Sequence, residues 1–134
     1  MFQAIPALSA ALAACAAMTG GAEHARAAQA WTVCLSHADD APPSRTRMVL
    51  EGLPTAPARS VAIEGSFYGA AFETARATRT ANSLIFSAVT EDASGAYHHA
   101  ARLSGEVFIG QTLAVGRDFL MPWTATQGDS PCPE

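Results

Sequence analysis

The sequence contains no lysine. All eight basic residues are arginines, set against 12 Asp and Glu, and charged residues make up only 15% of the chain. That absence excludes Schiff-base chemistry on a lysine and a phosphate loop built around one. The net charge of −4 has the wrong sign for a phosphate-backbone footprint, so no nucleic-acid partner is expected. The G-x-S-x-G elbow of a serine hydrolase is missing too, since Gly65-Ser66-Phe67-Tyr68-Gly69 lacks its spacing. There are three cysteines and no C-x-x-C pair, which removes the usual zinc frameworks. No apolar run reaches the ~20 residues of a bilayer-spanning helix.

What is abundant is alanine: 30 residues, 13 of them within the first 30 positions. The uncharged run from Ala4 to Met18 has the length and position of a helical secretory signal segment. Two A-x-A sites follow, Ala25-Arg26-Ala27 and Ala28-Gln29-Ala30. A signal peptide over residues 1–30 leaves Trp31 at the mature N-terminus. Met1-Phe2-Gln3 carries no basic side chain, and Leu12-Ala13-Ala14-Cys15 resembles a bacterial lipobox. Cys15 is therefore the lipidation site in an alternative processing route, which makes the chain a membrane-anchored lipoprotein. A third route retains the segment as an uncleaved anchor. All three imply an exported protein, periplasmic or extracellular, in contact with a membrane only if lipidated or uncleaved.

Cys34 and Cys132 remain in the mature part, near its two ends. An even count in an exported chain points to a disulfide. The bridge would tie the two termini together and stabilise the fold by up to ~4.7 kcal/mol on chain-entropy grounds.

Residues 31–134 read as a single all-β domain. Short strands are expected near 31–36, 45–51, 59–67, 69–76, 83–90, 96–103, 106–115 and 118–125. Apolar and polar residues alternate along them, as in Leu84-Phe86-Ala88, Tyr97-His99-Ala101-Leu103 and Phe119-Met121-Trp123-Ala125. Turn residues separate them at Asp92-Ala93-Ser94-Gly95, Ser104-Gly105 and Gly116-Arg117-Asp118. The Ala-rich stretch 68–82 is compatible with a helix on propensity, but Thr74, Thr78 and Thr80 suit a strand better. About eight strands in a meander form an up-and-down barrel or, as the second choice, a two-sheet sandwich. In a barrel the first and last strands are neighbours, as the disulfide requires.

The candidate chemistry is sparse. His98 and His99 are adjacent on a strand and face opposite ways, so they do not chelate together. His37 lies near Asp39 and Asp40 in a polar loop, and Glu91-Asp92 is the other carboxylate pair, also in a loop. Neither pair has the opposed, rigid placement that glycoside hydrolysis needs. Arg45 and Arg47, and Arg76 and Arg79, read as surface cations protecting edges. No catalytic constellation, no metal site and no cofactor is expected. The nine aromatic residues between Trp31 and Trp123 carry the stronger signal. Ala62, Ala70, Ala88 and Ala101 leave room among them, and Tyr97, His99, Phe86 and Trp123 are the candidate ligand-binding residues.

Two functions follow. One is an exported, non-enzymatic barrel that binds a small apolar ligand in its interior. The other is a structural or interaction module of the cell envelope, an assembly factor or inhibitor with a solid core and an envelope protein as partner.

Overall fold

Alternating side chains give a strand one inward and one outward face. The computed structural model, which describes residues 27–133, builds ten strands on that pattern. They are β1 (Ala28–Leu35), β2 (Ser44–Glu51), β3 (Ala58–Ala62), β4 (Glu64–Phe67), β5 (Ala70–Ala71), β6 (Thr74–Arg79), β7 (Leu84–Asp92), β8 (Gly95–Ser104), β9 (Val107–Ala114) and β10 (Phe119–Gln127). Among the described residues the only helical piece is a 3-10 turn, Val115–Arg117. Of the signal peptide expected over residues 1–30, positions 1–26, Cys15 among them, lie outside the described residues, and Ala28, Gln29 and Ala30 belong to β1.

All strands belong to one antiparallel sheet, in the order β3-β6-β7-β8-β9-β10-β1-β2-β4-β5, curled into a half-barrel. First and last strands are neighbours, with Val33 opposite Ala125 and Leu35 opposite Trp123. β3 and β4 sit far apart in the hydrogen-bonded order yet are consecutive in the chain, with Ile63 alone between them. Ile63 donates its N–H to the Ala75 carbonyl at 3.1 Å, so one bent segment touches both β6 and β2.

The stretch expected as one strand over 69–76 is instead β5, a bend, and β6. Tyr68 and Gly69, with φ of 53° and 81°, make a tight two-residue turn that returns β5 onto β4. The Phe72 N–H then goes to the Gly65 carbonyl and the Glu73 N–H to the Val89 carbonyl. Two residues thus hand the chain from β4 to β7. Gly65 marks the bend: a Cβ there would meet the Val49 carbonyl oxygen at 1.9 Å, so only glycine lets β4 approach β2 this closely.

The concave face is divided. Trp31, Leu50, Leu84, Phe86, Phe108 and Ala125 are buried at one end. The Phe108 ring meets Trp31 at 4.7 Å and Phe86 at 5.2 Å, both edge to face, geometries worth about 0.5–1.5 kcal/mol each beyond area burial. Strand β9 has Gly110 on its inward parity, opposite Trp123. The indole lies across it, so that an added Cβ would come within 2.5 Å of the ring.

Cys34 and Cys132 form the disulfide, with Cα atoms 5.6 Å apart. It fastens the C-terminal tail to the outer face of β1. The Thr32 hydroxyl secures the same tail, donating to the Gly128 carbonyl at 2.6 Å and accepting from the Ser130 N–H at 3.2 Å. Arg45 pairs with Asp129 beside it.

Candidate functional site

The other end of the half-barrel is open. Here the chain reaches Leu35 of β1, Ser44 and Arg45 of β2, Phe67 of β4, Thr90 of β7, Tyr97 of β8, Thr112 of β9 and Met121 of β10. All of these line one cavity of about 370 Å³. That lies within the ~300–1,000 Å³ usual for small-molecule sites. Its walls are apolar, while Arg45, Glu91, Asp92 and Arg117 stand at the rim.

The floor is polar because two threonines and a histidine occupy positions that strand alternation turns inward. His99 is 2% exposed, Thr90 3% and Thr112 6%. His99 Nε2 lies 2.9 Å from Thr90 Oγ1, and Nδ1 lies 2.8 Å from Thr112 Oγ1. The Trp123 indole N–H donates to the same Thr112 oxygen at 2.9 Å. Phe67 covers the imidazole, with ring centroids 4.1 Å apart and planes 23° from parallel. Burial, and secondarily the neighbouring His98, push the His99 pKa down to about 4. At neutral pH the ring is an uncharged member of a hydrogen-bonded chain, with both nitrogens engaged.

The rim is built by turns. Asp92 Oδ1 accepts from the Ser94 N–H at 2.8 Å and from the Ser94 hydroxyl at 2.5 Å, and Ser94 Oγ lies 2.6 Å from the Tyr97 hydroxyl. The Ser94 hydroxyl, then its N–H, hold the Asp92 carboxyl below the ordinary carboxylate value. The Arg117 guanidinium sits 5.6 Å above the Phe119 ring. His37 Nε2 lies 2.6 Å from Ser44 Oγ at the cavity edge, and the Asp39-Asp40 loop beside it is exposed.

Of the four residues expected to bind ligand, the structure brings Tyr97 and His99 together at the cavity. Phe86 and Trp123 are buried in the packed interior and do not line it. Phe86 packs on Phe108 toward the closed end, and Trp123 sits behind Thr112 with its indole over Gly110. The four alanines also divide. Ala88 and Ala101 are buried in the core, Ala62 is exposed, and Ala70 alone lines the mouth. Arg76 and Arg79 serve neighbouring backbone, Arg76 bonding Ser60 and Arg79 the Pro54 carbonyl.

Sequence reasoning missed Thr90 and Thr112. The available signal was a polar residue on the inward parity of an otherwise apolar face, after Leu84-Phe86-Ala88 and beside Phe108. A larger groove, about 550 Å³, runs over the outer surface between Ile85 and Ile109. It is an open saddle over the small side chains of Ser87 and Ala100, edged by Arg76, Thr78 and Gln111, and it has no buried hydrogen-bonded chain like that of Thr90, His99 and Thr112. Among the described residues, no group of three or more His, Cys, Asp or Glu is placed to hold a metal ion. Comparison with protein-family models, with curated proteins and with solved structures gives no match to this chain.

Proposed function

We propose that this protein is an exported, non-enzymatic binding module. It takes a small, largely apolar ligand into the mouth of a barrel. In this reading the half-barrel closes as an eight-stranded up-and-down barrel, with β3 and β4 as one bent strand and β5 and β6 as another. The continuity of β3 and β4 through Ile63 supports closure, and closure leaves no unpaired edge to aggregate. Export is supported by the Cys34–Cys132 bridge, a bond that persists in oxidising compartments.

The observation that carries the reading is the cavity at the open end. Its apolar walls (Leu35, Phe67, Ala70, Met121) converge on the polar floor of Thr90, His99 and Thr112. A purely structural core gains nothing from such an unfilled apolar space. The test is native mass spectrometry of the protein exported to a periplasm and recovered without denaturation. A stoichiometric excess of a few hundred daltons that disappears on denaturation is expected. The bare chain mass in the native spectrum counts against the reading.

The second reading, an interaction module of the envelope, is favoured by the packed end, where the buried Trp31, Phe86 and Phe108 rings meet edge to face. It predicts a native mass without adduct, and mouth residues that no small molecule perturbs.

A further inference from the structure

The floor of the mouth contains more donor hydrogens than contacts to use them. Trp123 Nε1, the Thr112 hydroxyl, the neutral His99 ring and the Thr90 hydroxyl each carry one, and three contacts join these four groups. An indole N–H only donates, so Trp123 fixes one end of the chain and Thr112 Oγ1 accepts from it. The cooperative arrangement continues in one direction: the Thr112 hydroxyl donates to Nδ1, and Nε2–H donates to Thr90 Oγ1. The opposite tautomer makes Thr112 accept twice and strands its hydrogen beside the Trp123 indole. The last hydrogen of the chain therefore belongs to Thr90. That residue is almost fully buried, lines the mouth, and meets no acceptor among the described residues other than the His99 ring. A buried donor without an acceptor is costly, and an incoming acceptor recovers that cost.

We infer that the ligand presents a neutral hydrogen-bond acceptor to the Thr90 hydroxyl, a carbonyl or ether oxygen on an apolar body. This inference rests on the mouth reading above. Neutrality follows from the rim, where Arg45 and Arg117 are matched by Glu91 and Asp92, and where Asp129 already engages Arg45. A carboxylate would stand beside the acidic pair that follows Thr90 in sequence, at a rim whose lining charges already sum to zero.

The test compares acetophenone with isopropylbenzene, near-isosteres in which a carbonyl oxygen replaces a methyl. Dissociation constants are measured by chemical-shift titration of the full chain. Thr90→Val is expected to weaken acetophenone about tenfold, the scale of one hydrogen bond, and to leave isopropylbenzene unchanged. Thr90→Ser, which keeps the hydroxyl, is expected to retain the acetophenone affinity. Equal changes for both probes, or none for either, overturn the inference while leaving the mouth reading intact. Failure of both probes to bind the unmodified chain overturns the mouth reading, and the inference with it. The infrared carbonyl stretch of bound acetophenone gives a check without a variant. A shift to lower frequency than in hexane is expected, and an unshifted band contradicts the inference.

Discussion

The ring of Phe67 lies 4.1 Å from the imidazole of His99, nearly parallel to it. This contact joins two strands that are not hydrogen-bonded neighbours, β4 and β8, and it caps a histidine whose nitrogens are both occupied by threonines. The polar floor is thus sealed from below by Trp123 and covered from the side by Phe67. That environment accounts for the depressed basicity of His99.

One consequence is an acid-labile fold. His99 titrates at its ordinary value of 6.5 when unfolded and near 4 when folded, so the unfolded state binds the extra proton first. Stability is full above pH 6.5, falls as the pH drops from 6.5 toward 4, and levels below that. The total loss is about 3 kcal/mol. Asp92 behaves in the opposite sense, its depressed carboxyl contributing above its unfolded value of 3.8 and losing that contribution below it. Urea denaturation at pH 7, 5.5, 4 and 2.5 separates the two windows, since only the step below pH 4 enters that of Asp92. The decline between pH 6.5 and 4 should be absent from His99→Leu.

Gly110 is required by Trp123. A Cβ would stand 2.5 Å from the indole, against atoms of a fully buried side chain. Gly110→Ala is expected to cost about 1–3 kcal/mol through overpacking. It should also displace the indole from Thr112, red-shifting the tryptophan emission. An unchanged melting temperature would refute the close packing.

Cys34→Ser is expected to lower the melting temperature under oxidising conditions only, by the equivalent of up to ~4.7 kcal/mol for a loop of this length. Asp129→Ala, which removes the exposed ion pair with Arg45, is expected to cost less than about 1 kcal/mol. An equal fall for Cys34→Ser in reducing buffer would separate its effect from the disulfide.

If a signal peptide is removed as proposed, the cleavage position has a structural consequence. β1 starts at Ala28, and Ala28, Gln29 and Ala30 pair with Glu51, Leu50 and Val49. Cleavage after Ala27 keeps these pairings, whereas cleavage after Ala30 removes them. A chain starting at Ala28 is expected to melt higher than one starting at Trp31. Equal melting temperatures would mean that the first three residues of β1 add nothing.

Much of the fold was legible because strand alternation and turn chemistry are local. The loops at Ala93-Ser94 and Gly105-Glu106 fall where Asp92, Gly95 and Gly105 announced them, and the pairing of first and last strands accompanies the disulfide. The bend between β5 and β6 was not legible, because it is set by a change of partner strand rather than by residues 72 and 73 themselves. At the site, Tyr97 and His99 followed from parity on β8. Phe86 and Trp123 share the inward face but lie at other depths along the half-barrel, which alternation does not report. Thr90 and Thr112 became visible only once register brought three strands to one imidazole.

In the proposed function the mouth holds a small, largely apolar molecule. The most direct test of that claim is a proton–nitrogen correlation spectrum of the full chain titrated with acetophenone. Saturable shifts are predicted at Thr90, Tyr97, His99, Thr112 and Met121, with Leu84, Leu103 and Phe108 at the closed end unmoved. Shifts confined to the outer groove around Ile85 and Ile109, or no saturable shift at the mouth, would contradict it.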